Sequence, residues 1–204
     1  MSKIAFWYDF ASTYSYLSAM RIEALAASHK VHVSYHPFLL GPIFKAQGLD
    51  TSPFVVNPAK GHYMVRDIER ISASRGLPFH MPEPFPAHSL NAARIGMVAV
   101  TEGWIAPFTK AIFAAEFADR ADIAAQDVLD RVVADLGHDP ARVTAAASTP
   151  ESKMALREAT ATAGQIGIFG APTFIAPDGE LFWGDDRLEQ ALAWAKNSAQ
   201  KPVA

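Results

Sequence analysis

The chain has 204 residues, of which 50% are hydrophobic and 19% charged, so it can bury a full core and is neither disordered nor fibrous. Eighteen Lys and Arg against 21 Asp and Glu leave a net charge of -3, with no basic excess to neutralise phosphates, so no nucleic-acid partner is expected. No apolar run approaches membrane-spanning length and the N-terminal MSKIAFWYDF lacks the parts of a secretory signal, so a soluble cytoplasmic protein without a membrane partner is expected.

Residues 3–8 (KIAFWY) are β-branched and aromatic and read as a buried strand ending at Asp9. Tyr16, Leu17, Met20, Ala24 and Ala27 recur at helical spacing, predicting one helix over 13–27 with Ser12 at its N-cap. Residues 31–35 (VHVSY) alternate strictly and predict a second strand, so the first forty residues form a βαβ unit with parallel strands. An irregular stretch follows, then a helix over 59–75, and a loop over 77–87 that four prolines hold extended. Helices are predicted over 90–101, 106–117, 126–136 and 140–147, and another from Thr149-Pro150 to about residue 163. The end returns to strands: 173–176, a Pro177-Asp178-Gly179 turn, and 180–183, followed by a helix ending near Ser198. The order is βαβ, helical block, ββα. One α/β domain interrupted by an all-helical insertion accounts for it, since the first and last blocks are each too small to fold alone.

Three short segments carry candidate chemistry. Asp9 to Leu17 places hydroxyls at the start of a helix after a strand, where an anion is favoured, although a plain cap at Ser12 explains the same residues. Gly170-Ala171-Pro172-Thr173-Phe174 puts a proline directly before a strand; alone it reads as an ordinary trans proline opening an edge strand. In Phe182-Trp183-Gly184-Asp185-Asp186-Arg187-Leu188, adjacent acids at a helix start either complement its dipole or hold an ammonium group. Together the three have the arrangement of a thioredoxin-like fold, in which a cis-proline faces the start of the first helix. Here Ser12-Thr13-Tyr14-Ser15 stands where redox members carry C-x-x-C, and the chain has no cysteine, so disulfide exchange is excluded. The seven histidines are scattered; His32 and His36 share a strand face, no H-E-x-x-H occurs, and no metal site is expected. Neither a G-x-S-x-G elbow nor a Ser-His-Asp set supports Ser12 as a nucleophile.

Five motifs in order support a more specific reading: Asp9 to Leu17, Pro58-Ala59-Lys60-Gly61-His62-Tyr63 with Asp67, Phe85 to Arg94, Gly167 to Phe174, and Phe182 to Leu188. The chain resembles the glutathione-dependent 2-hydroxychromene-2-carboxylate isomerases and, more broadly, the kappa-class glutathione transferases. It departs from the pattern at Thr13, where proline is usual. The resemblance implies a discontinuous thioredoxin-like domain over 1–44 and 164–204, a helical insertion domain over 45–163, and a homodimer. It implies glutathione as cofactor, with Ser12 at the sulfur as the catalytic residue. Ala171, before a cis Pro172, would pair with the cysteinyl backbone, Asp186 would bind the γ-glutamyl ammonium, and Lys60 a carboxylate. Asp185 and Asn57 are further binding candidates. The implied reaction converts 2-hydroxychromene-2-carboxylate to trans-o-hydroxybenzylidenepyruvate, in naphthalene-type aromatic catabolism, by reversible thiolate addition. Glutathione conjugation or peroxide reduction on another electrophile, and a non-catalytic peptide-binding module, are the alternatives. Phe38, Phe44, Phe54, Phe85 and Trp183 are candidates to line an apolar pocket.

Overall fold

A strand with neighbours on both edges and helices over both faces needs apolar side chains pointing both ways, and Phe6, Trp7 and Tyr8 meet that need in β1 (Ser2–Tyr8). In the computed structural model, which describes residues 2–198, β1 pairs in parallel with β2 (Val31–Pro37) and antiparallel with β3 (Thr173–Ile175), which pairs antiparallel with β4 (Leu181–Trp183). The sheet order is β2-β1-β3-β4, the βαβ and ββα halves of the expected thioredoxin-like fold. On one face Phe6 stacks between Tyr8 and Phe174 at centroid distances of 4.6 and 5.5 Å. The opposite face carries Trp7, packed with Phe38, Ile43, Ala163 and Ile168.

The predicted helix over 13–27 is two helices, α1 (Thr13–Ala19) and α2 (Ile22–His29). The break falls where Arg21 is drawn to Asp185 and Glu189 from the far end of the chain, a constraint that local periodicity does not carry. The stretch expected to be irregular, 51–58, contains the single turn α4 (Pro53–Val56), and before it, where no element was assigned, lies α3 (Leu40–Ala46). The remaining helices follow the prediction closely: α5 (Pro58–Ser74), α6 (Leu90–Glu102), α7 (Ile105–Phe117), α8 (Gln126–Asp135), α9 (Pro140–Ala147) and α10 (Pro150–Gln165). A 3-10 turn over Asp185–Arg187 leads into α11 (Leu188–Ser198). None of the described helices is long and apolar enough to cross a membrane.

The helices between β2 and β3 share one core with the sheet. Phe113 of α7 lies 5.9 Å from the Tyr8 ring and 5.4 Å from Phe10, and Phe117 lies 5.2 Å from Tyr16 of α1. These aromatic contacts fix the start of α1 against the helical block. Helix ends are stabilised locally: Thr149 accepts the Ser152 amide and Pro150 follows at the first helical position of α10. Thr149→Ala should lower stability by about 1 kcal/mol through loss of this cap, and urea unfolding with an unchanged midpoint would refute that.

Candidate active site

The turn between β1 and α1 is built by a buried carboxylate. Asp9 is 5% exposed. Its Oδ1 accepts the Ala11 amide at 3.0 Å and the Ser89 hydroxyl at 2.6 Å, and its Oδ2 accepts the Leu40 amide at 2.7 Å. Burial pushes its pKa up, and these three bonds oppose the rise. Asp9 thus holds together the site turn, the start of α3 and the entry to α6. Ser12 follows with its amide bonded to the Asp9 carbonyl at 3.0 Å. Its Oγ accepts the Ser15 amide at 3.2 Å, as an N-cap does, and donates to the Ala171 carbonyl at 3.2 Å.

That second bond joins positions 159 residues apart. The Ala171–Pro172 peptide is cis, as the thioredoxin-like arrangement implies, and the loop is held by Thr173 Oγ1 donating to the Gly170 carbonyl at 2.9 Å. The Gly184 amide donates to the Pro172 carbonyl at 2.9 Å, which seats the segment carrying both acids beside the same loop.

The two acids differ sharply. Asp186 is exposed, its side chain at 72%, with Arg187 at 3.3 Å. Its charge contributes to raising the Tyr14 pKa, behind burial, Asp67 and Tyr63. Asp185 is 3% exposed, and its carboxylate accepts from Ser18 at 2.9 Å, Arg21 at 3.2 Å and Arg75 at 2.7 Å. These internal partners occupy it, so the expectation that Asp185 contacts a ligand directly gives way to a structural role.

Lys60 lies in the first turn of α5 with its ammonium 5.7 Å from the Phe54 ring centroid. Asn57 is the N-cap of the same helix, its side-chain oxygen accepting the Lys60 amide at 3.1 Å. Tyr14 connects this corner to α1: its hydroxyl donates to Asp67 at 2.9 Å and its ring lies 6.3 Å from Phe54. Ser12 is thus bonded to Ala171, Gly184 ties the segment carrying Asp186 to Pro172, and Phe54 stands between Lys60 of α5 and Tyr14 of α1.

Of the five aromatics considered for an apolar pocket, Phe54 and Phe85 line a cavity of about 220 Å³ with Pro58, His62, Met64 and Met81. The Thr13 hydroxyl sits 3.4 Å from the Met64 sulfur, which ties that cavity to α1. Gly61 forms part of its wall because α4 packs closely on α5 there: a Cβ at Gly61 would collide with the Phe54 carbonyl oxygen. Phe38 is fully buried against Trp7. Trp183 is half exposed and packs on Phe169 at 4.9 Å, and Phe44 is half-buried on α3, so neither lines this cavity.

The sequence reading missed Ser89, Arg21, Arg75 and the buried Glu116. Ser89 lies within the Phe85 to Arg94 motif, which was a usable signal. The two arginines reveal themselves only by what they reach.

A family model described as a DSBA-like thioredoxin domain matches residues 3–193. A 2-hydroxychromene-2-carboxylate isomerase of Sphingobium xenophagum is 29% identical over 187 residues, 91% of this chain and 94% of that protein. The human glutathione S-transferase kappa 1 is 26% identical, over 91% of this chain and 87% of its own length. A solved structure of a 2-hydroxychromene-2-carboxylate isomerase superposes with a TM-score of 0.85 at 23% identity, covering 98% of this chain and all of that one.

Proposed function

We propose that this chain, which belongs to the DSBA-like thioredoxin family, is a glutathione-dependent isomerase acting on an unsaturated aromatic 2-oxo acid of the 2-hydroxychromene-2-carboxylate class. The single observation that carries the reading is the Ser12 hydroxyl placed on the Ala171 carbonyl, at 3.2 Å, in a chain without cysteine. A thiol that does chemistry here must come with the ligand.

The hydroxyl has one proton. With the groove free it is spent on Ala171. When a glutathione thiolate arrives, the proton turns to the sulfur, and the Ala171 carbonyl is released to accept the cysteinyl amide of the ligand. A hydrogen bond to an ionised acceptor is stronger than one to a neutral carbonyl, so the exchange favours the thiolate over the thiol. Asp186 receives the γ-glutamyl ammonium and Lys60 a carboxylate. Asn57 stays a weaker candidate through its amide nitrogen, since its oxygen is committed to the helix cap.

The hemiketal ring opens first: its hydroxyl proton passes to the departing phenol oxygen as the ring C–O bond breaks, leaving the cis unsaturated 2-oxo acid. The thiolate then adds to the carbon β to the oxo group and the π pair moves onto the oxo oxygen as an enolate, turning the double bond into a single one. The adduct rotates about that bond, the enolate pair re-forms the double bond as the carbon–sulfur bond breaks, and the thiolate is regenerated with the geometry changed. The cavity between Phe54, Phe85 and the two methionines, which meets α1 at Thr13, suits the aromatic ring. The helical insertion over 45–163 supplies that cavity, and the thioredoxin-like parts over 1–44 and 164–204 supply the thiol groove. We further propose that the protein acts in the cytoplasm as a homodimer in aromatic catabolism.

Ultraviolet assay of the isomerisation, with and without glutathione, tests the reading: turnover should require glutathione and leave its concentration unchanged. Stoichiometric loss of glutathione would favour the transferase alternative instead. Binding gives an independent check. Asp186→Asn and Lys60→Met should each weaken glutathione by about 1.5- to 5-fold, the range for solvent-exposed charge pairs. Calorimetry giving wild-type affinity for both would show that the ends of the ligand lie elsewhere.

A further inference from the structure

We propose that Asp185 is a positioning residue that sets the spacing between the two charged groups gripping the ends of glutathione, an inference that rests on the glutathione reading above. Its carboxylate collects three donors from three places. Ser18 lies on α1, Arg21 at the break between α1 and α2, and Arg75 at the C-terminal end of α5. Arg75 matters most, because α5 is a 17-residue helix with Lys60 in its first turn. A helix of that length moves as a rod, so fixing its far end fixes the direction in which Lys60 is presented.

The other side of the clamp holds Asp186. Asp185 and Asp186 are consecutive in one 3-10 turn. That turn is pinned by Arg21 Nη2 donating to the Asp185 carbonyl at 2.7 Å and by the Gly184 amide on the Pro172 carbonyl at 2.9 Å. Gly184 has φ of +108°, and a Cβ there would stand 2.6 Å from Asp186 Oδ1, so the glycine lets the exposed carboxylate fold back over the turn. Asp186 thus takes its position from the backbone that Asp185 anchors, and Lys60 from the helix that Asp185 anchors. Charge balance supports a fixed clamp rather than a mobile one: Arg21 and Arg75 face Asp185, and Arg21 also pairs with Glu189.

A ligand that touches both ends gains from simultaneous engagement only while the spacing is held, whereas a fragment touching one end does not. Titrations of the full chain with glutathione, γ-glutamylcysteine and cysteinylglycine exploit that difference. Arg75→Met leaves the Arg21–Asp185 pair in place while freeing the C-terminal end of α5 from Asp185. It should weaken glutathione by about 5- to 20-fold, with each fragment within about twofold of wild type. Arg75→Lys, which can still reach the carboxylate, should restore most of the loss. Asp185→Asn, measured the same way, provides the second variant if Arg75→Met does not fold. Unchanged glutathione affinity in both, or equal weakening of all three ligands, would overturn the clamp while leaving glutathione as ligand. A wild-type chain that binds none of the three would overturn the glutathione reading and the clamp with it.

Discussion

Ser12→Ala should lower isomerase turnover by about 10- to 150-fold at saturating glutathione, the worth of one hydrogen bond to a charged group, roughly 1.5–3 kcal/mol. Glutathione affinity should change by no more than about threefold, because the hydroxyl meets only the sulfur and the rest of the tripeptide is held elsewhere. The structure adds a second role for the residue. Ser12 Oγ also accepts the Ser15 amide as the N-cap of α1, so alanine at this position also costs about 0.5–2 kcal/mol of stability. The two effects separate cleanly in the titration of bound glutathione. With serine present the thiol ionises more readily; with alanine it should titrate about one to two pH units higher, by the same hydrogen-bond energy. Thiolate absorbance against pH reads this directly, whatever the electrophile. Ser12→Thr keeps both the cap and the donor and should retain most of the activity. A Ser12→Ala protein with the wild-type thiol titration would remove the hydroxyl from the mechanism, even if its stability had fallen.

The strand–helix–strand opening and the closing hairpin were legible because their signals are local: alternation in VHVSY, a turn at Pro177-Asp178-Gly179, and hydroxyls directly after a strand. Ser12 and Pro172 could be chosen only together, since each alone has an ordinary explanation, and they lie on opposite sides of one hydrogen bond. What was illegible depends on distant partners. Nothing local distinguishes Asp185 from Asp186. Packing alone turns the first inward onto Arg21 and Arg75 and leaves the second in solvent. The break between α1 and α2 has the same origin. Helix α3 was hidden for a different reason: Gly41 and Pro42 look like breakers, yet both fall in a first turn, where a missing amide hydrogen is harmless. Glu116 had a signal that passed unread. It lies four residues after Ile112 and three after Phe113, an acid on the apolar stripe of α7.

That acid should make the protein lose stability as pH rises. Glu116 is 1% exposed, and neither carboxylate oxygen has a hydrogen-bond partner among the described residues. Burial pushes its pKa well above the ordinary carboxylate range, and the nearby charges of Asp9 and Asp122 push the same way. Asp9 accepts three hydrogen bonds and Glu116 none, so of these two acids Glu116 is the one that keeps its proton. The sign follows from linkage. The unfolded glutamate releases its proton near pH 4.3, whereas the folded one retains it to higher pH. Above about pH 4.3 the folded state therefore binds more protons than the unfolded state, and stability falls until the folded group also ionises. His36 acts oppositely: burial and Lys3 lower its pKa to about 4, so its contribution weakens as pH falls from the ordinary histidine range. The wild-type profile mixes both slopes, and the informative quantity is the difference between wild type and Glu116→Gln in urea unfolding across pH 5 to 8. Glu116→Gln should gain on wild type steadily as pH rises, because its amide does not titrate. Glu116→Met, close in length and without a buried polar head, should be more stable than wild type at pH 7 by about 1–3 kcal/mol, the cost of one unsatisfied buried polar group. Parallel pH profiles for wild type and Glu116→Gln, with Glu116→Met no more stable than either, would mean that the carboxylate is solvated or paired in the folded protein.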